Sequence, residues 1–124
     1  MVTYYDYLKG ILKKVQIAYN TLEKLEDKPG ELETIKKEIL KIKGFFQVFI
    51  SKTNNENNPL SDFSDLKSKF EYYLDTYSFE KEIETMASLY ANDSNRLKNM
   101  RLKIIESLSD KKLMDDIEYM LDKL

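Results

Sequence analysis

The sequence predicts an all-α protein: a helical bundle built on a long N-terminal antiparallel helical hairpin with about four shorter helices. Three observations carry that expectation. Apolar residues recur at alternating spacings of three and four through almost the whole chain, the rhythm of one helix face. A Pro29-Gly30 pair divides the N-terminal part into two long segments. No Gly or Pro follows Pro59, so later boundaries must be set by capping residues and by slips in the apolar rhythm.

The first helix starts near Thr3, whose hydroxyl can accept from backbone N–H groups, with Asp6 facing the positive end of the helix dipole. Its stripe is Tyr4, Leu8, Ile11, Val15, Ala18, Leu22 and Leu25, and it runs to about Asp27. Tyr5, Leu12 and Tyr19 recur beside that stripe and widen it, so this helix is expected to touch more than one neighbour. At Lys28-Pro29-Gly30 the chain stops and restarts, and so short a connection makes the next helix antiparallel.

In the second helix Leu32, Ile35, Ile39, Ile42, Phe46 and Phe49 repeat the rhythm, while Lys36, Lys37, Lys41 and Lys43 lie mostly off the stripe. Phe45 and Val48 make its last turns apolar around most of the circumference. The first reading of that end is core beneath the following helices; the second is an aromatic patch for a partner. Gly44 leaves room for a kink, and Phe45 to Ile50 alone resemble a strand, but the helical surroundings decide for helix.

The hairpin is thus placed at 3–51 and a polar, asparagine-rich loop at 52–61, with helices at 62–124 completing one domain. Ser61 or Asp62 is expected to cap the third helix, which shows Phe63, Leu66, Phe70, Tyr73, Leu74 and Tyr77 on one side. Phe79, Ile83, Met86 and Tyr90 would project from the opposite side of a straight continuation. A break at Thr76 to Ser78 follows, with Ser78 capping a fourth helix that runs to about Ala91; one long helix leaving the bundle is the alternative. Asp93 or Ser94 caps the fifth helix, with Leu97, Met100, Ile104 and Leu108 on its apolar side. The same slip recurs before Leu113, Ile117, Met120 and Leu124, so a sixth helix is placed from Asp110 to about Lys123.

Composition narrows the function. A chain of 124 residues with 42% hydrophobic content can bury a core without disulfides. Cys and His are both absent, which removes thiolate chemistry, the commonest transition-metal ligand and the best neutral-pH proton carrier. Carboxylate chemistry alone stays open, at Glu80/Glu84 or Asp62/Asp65, and both pairs read better as solvated helix faces. Asp115 and Asp116 project about 100° apart and form no shared-proton pair within their helix. Asn92-Asp93-Ser94 matches a glycosylation acceptor, but no export signal is read at the N-terminus. Asp93 does not open a calcium loop, because Ile104 stands where the bidentate glutamate is needed.

The expected protein is therefore not an enzyme, takes no metal or cofactor, and has no membrane span. It is read as a cytoplasmic protein–protein interaction or assembly module, with a homo-oligomer as one form. The candidate partner interface is Phe45, Val48, Phe49, Leu113, Ile117 and Leu121. An alternative is a nucleic-acid-binding accessory or regulatory subunit, contacting phosphates through Arg96, Lys98, Arg101 and Lys103. Charge is uneven: residues 1–53 sum to +3, 54–92 to −5, 93–112 to +3 and 113–124 to −3. Lysine outnumbers arginine 18 to 2, which with abundant Ile, Asn and Tyr hints at an AT-rich genome.

Overall fold

The computed structural model describes residues 3–28, 30–54, 61–90 and 92–124, apart from the side chains of Asn54, Ser61 and Asp62. Among the described residues six α-helices follow in order: α1 (Tyr4–Lys24), α2 (Glu31–Asn54), α3 (Ser61–Thr76), α4 (Glu80–Leu89), α5 (Ser94–Ser109) and α6 (Leu113–Lys123). A 3-10 turn, Asp110–Lys112, separates the last two. No strand occurs among the described residues, so this is the all-α bundle its periodicity predicts.

α1 opens on a reciprocal cap: Thr3 Oγ1 accepts from Asp6 N–H, and the Asp6 carboxylate accepts from Thr3 N–H. The helix ends at Lys24, three residues before the predicted stop. Leu25 is already extended, and Asp27 takes a left-handed backbone with φ 64°. The Glu31 carboxylate then accepts from the N–H groups of Glu26 and Asp27, so the first turn of α2 holds the bend. Pro29 lies outside the described residues.

α2 runs antiparallel to α1 and does not kink at Gly44. It continues to Asn54, through the start of the segment predicted as loop. Thr53 is buried, and its hydroxyl donates to Phe49 O at 2.8 Å, so a polar residue stays inside the helix without an unsatisfied group. The rest of the predicted loop to 60, and the side chains of the expected caps Ser61 and Asp62, lie outside the described residues and atoms.

The stripes of α1 and α2 meet each other and those of α3, α5 and α6 in one core. Its densest part is aromatic. Phe46 stacks on Phe70 with ring centroids 4.1 Å apart, and Phe49 meets Phe70 edge-on at 5.1 Å. Phe49, Leu113 and Ile117, named above as candidate interface positions, are fully or almost fully buried. Burial of their apolar surface in this chain's own core is the competing demand that wins.

Both predicted breaks occur, though not with the predicted caps. α3 stops at Thr76, and α4 begins after Phe79, whose N-cap position has no side-chain hydrogen bond; Ser78 caps nothing. Phe79 is instead buried, its ring parallel to Tyr77 at 6.4 Å. α4 ends at Leu89, and Ala91 is not described. Asp93 caps α5 by accepting from Arg96 N–H. α6 starts at Leu113 rather than Asp110, because Lys111 and Lys112 are both left-handed, with φ 53° and 58°. Asp110 instead accepts a 2.6 Å hydrogen bond from the Tyr77 hydroxyl, and Tyr19 bonds Ser109 at 3.0 Å.

Candidate functional site: the outer face of the hairpin

At 100° per residue the buried positions of α1 leave Gly10, Lys13, Lys14 and Ile17 on the side turned away from α3–α6. On α2 the same construction leaves Lys37, Leu40, Lys41, Gly44 and Val48 on that side. Two cross-helix contacts fix the register: Lys14 Nζ lies 6.0 Å from the centre of the Phe45 ring, and Lys52 Nζ 5.5 Å from that of Tyr7. The result is one surface shared by both helices. Ile17 is 64% exposed, Leu40 49%, Tyr7 43% and Val48 37%, whereas the stripes of the same helices are buried almost completely.

Lysines surround these side chains. Lys13 and Lys37 have no acidic partner among the described residues, and Lys41 reaches only Glu38, at 3.3 Å. Glu38 itself is buried. Among the described residues the other carboxylates close to this face are Asp6, held in the cap of α1, and Glu33 in the first turn of α2. The surface therefore mixes exposed apolar side chains with lysines, of which Lys14 and Lys52 lie in the seam between the two helices.

Of the predicted partner positions, this face holds Phe45 and Val48; Leu121 is half-buried on α6, away from them. Sequence reasoning did not single out Tyr7, Gly10, Ile17 or Leu40. Ile17 and Leu40 carried a readable signal, since each is an aliphatic residue off the stripe of its own helix.

The basic helix α5 is divided by the fold. Arg101 is turned inward and only 8% exposed, a correction to its expected role at a phosphate. Its Nε donates to Asp27 Oδ1 at 2.7 Å and its Nη2 to Oδ2 at 3.1 Å, while Nη1 donates to Leu22 O at 3.1 Å. Arg101 thus pairs bidentately with Asp27 and also satisfies a carbonyl at the C-terminal end of α1. The hydrogen bond to Asp27 raises the guanidinium pKa above its usual value, against the opposing effect of burial. Arg96 lies over the Tyr90 ring at 3.8 Å and beside Asp93 at 3.4 Å. Lys98 and Lys103 remain exposed.

A cleft of about 400 Å³ opens between the C-terminal part of α1 and the start of α6, lined by Gln16, Tyr19, Asn20, Asp115 and Glu118 among others. Another, of about 610 Å³, lies between α4 and α5 over Met86 and Met100, with Lys81 and Lys103 at its edge. Neither holds a paired acid and base. Glu80, one of the carboxylates weighed for metal chemistry, accepts from Lys43 Nζ at 2.7 Å, and that hydrogen bond holds its carboxyl below the usual range. Among the described residues no three metal-ligating side chains converge, and no helix is long and apolar enough to cross a membrane.

The fold and this face define a small all-helical bundle whose hairpin carries exposed apolar side chains among lysines. No family model matches the chain, and neither a curated protein nor a solved structure matches it.

Proposed function

We propose that this protein is a non-catalytic helical interaction module that works through the outer face of its α1–α2 hairpin. The observation that carries this reading is the placement of Tyr7, Ile17, Leu40 and Val48, all exposed, on the outer side of two helices whose main apolar stripes are buried; Tyr5, as exposed as Val48, lies instead on the α3 side against Phe63. Single exposed apolar residues are ordinary on any protein surface, but a contiguous set on adjoining helices marks an interaction surface. The nucleic-acid reading has less support, because Arg101 is committed to Asp27 and Arg96 to Tyr90 and Asp93.

A photo-crosslinking amino acid placed at position 17, 40 or 48 tests the reading in cells that naturally produce the protein. Discrete higher-mass adducts from these positions, and none from Leu102 or Tyr119 on other exposed surfaces, are expected. Equal labelling from all five, or none from the hairpin, would overturn it. Light scattering of the purified chain separates a second copy from a foreign partner, since only self-association raises its mass above 14.7 kDa.

A further inference from the structure

We infer that the hairpin face receives an acidic amphipathic α-helix of a partner protein, seated across a notch at Gly10 and Gly44. The inference rests on the interaction-module reading and names its occupant.

The glycines carry the first step. Both sit inside long helices, where glycine is a poor helix former. Neither has the positive φ that would call for glycine, and a Cβ added at either would meet nothing within 4 Å. Among the described residues nothing therefore uses their lack of a side chain. A helix packing from outside would, because small residues let a second backbone approach closely.

Their placement fits one crossing helix. The register set by Lys14–Phe45 and Tyr7–Lys52 puts Gly44 level with about Val15, so the two glycines stand roughly 7 Å apart along the hairpin on neighbouring helices. A diagonal drawn through them has Ile17 and Leu40 on one side and Tyr7 and Val48 on the other. Such an arrangement sets two pairs of exposed apolar side chains on either side of the glycines, with Lys14 over the Phe45 ring in the seam between them, and a ridge of small and aliphatic side chains would pack over the two glycines.

Charge selects the occupant. Lys13, Lys14, Lys37, Lys41 and Lys52 lie on or beside this face, against the few carboxylates already placed there. An occupant with acidic flanks is attracted. A second hairpin docked face to face would set lysine against lysine. A phosphate polymer would leave Ile17, Leu40 and Val48 without a use, and a bilayer surface has no ridge to place over the glycines.

The test uses fluorescence anisotropy with two labelled synthetic helical peptides that share one Leu/Ala stripe, with Glu on the polar flanks of the first and Lys on those of the second. The Glu peptide is expected to bind at least about tenfold more tightly, and to weaken about tenfold between roughly 50 and 500 mM salt. The Lys37→Glu/Lys41→Glu variant should reverse the preference. Gly44→Leu should weaken binding about tenfold while holding or raising the melting temperature, since leucine is the better helix former and its space is open. A melting temperature that holds excludes misfolding as the cause.

Equal affinity for the Lys peptide, indifference to Gly44→Leu, no binding, or preferential capture of phosphatidylglycerol vesicles or a single-stranded oligonucleotide would each overturn the inference. If crosslinks from positions 17, 40 and 48 persist in that event, the interaction reading stands and only the acidic helix falls. If they are absent, both fall.

Discussion

Arg101 is the residue whose chemistry a linear reading hides. Its position on α5, between Lys98 and Lys103, looks like that of a solvated cation, but the fold brings it against Asp27, 74 positions earlier. Asp27 keeps its carboxylate in a left-handed backbone that aspartate tolerates better than most residues. Replacing Asp27 by Ala leaves a largely buried guanidinium without its counter-charge, and destabilisation of about 3 kcal/mol in urea unfolding is expected. Asp27→Ala/Arg101→Met should lose less than Asp27→Ala alone, because the stranded charge goes too. Tyr73 gives the residue-scale pH prediction. Burial pushes its hydroxyl from 10.0 to about 12, and the Ser107 hydrogen bond only partly opposes this. A phenol harder to ionise when folded contributes stability that is whole below about pH 10 and is lost as pH rises through about 12. The Tyr77 hydroxyl, donating to Asp110, is raised to about 12 as well. Tyr73→Phe/Tyr77→Phe should therefore flatten the alkaline fall of the melting temperature over that range.

At the scale of elements, apolar rhythm was a better guide than capping chemistry. The slips after Tyr77 and Leu108 located both late breaks, because a helix cannot bury two opposite faces in one core without turning. Ser78, expected as the cap of α4, and Asp110, expected to open α6, depart from expectation for a common reason: tertiary contacts outweigh local helix-start chemistry. Phe79 is drawn into the core, and the Asp110 carboxylate is used by Tyr77. The left-handed pair Lys111–Lys112 had no signal in residue type, since neither is Gly, Asn or Asp. Contacts from α3 hold the corner: Lys69 Nζ donates to Lys111 O at 2.8 Å and pairs with Asp116, while the Lys111 ammonium lies 3.5 Å from the centre of the Tyr72 ring. Lys112→Gly should relieve backbone strain and stabilise the protein by up to about 1 kcal/mol, seen as a higher midpoint in denaturant. Phe46→Ala, at the centre of the aromatic stack, should cost about 3–5 kcal/mol.

For the whole molecule, the bundle and its hairpin were legible because burial follows the stripes. Which apolar residues stay outside was not, since exposure depends on where the other helices land. Phe49 and Val48 adjoin in the chain, yet one is fully buried and the other 37% exposed. Ile17→Ser/Leu40→Ser/Val48→Ser should leave the unfolding midpoint within the small range of surface substitutions while abolishing crosslinking from position 14 or 44. The Arg101–Asp27 clasp also has a consequence in time. On a ribosome the bend between α1 and α2 is made early, but the guanidinium that fastens it arrives only after about seventy more residues, several seconds of synthesis. The hairpin must wait for α5 with its first helix incompletely capped. Arg101→Met is expected to lower the urea midpoint of the full chain, since it leaves the Asp27 carboxylate without its counter-charge.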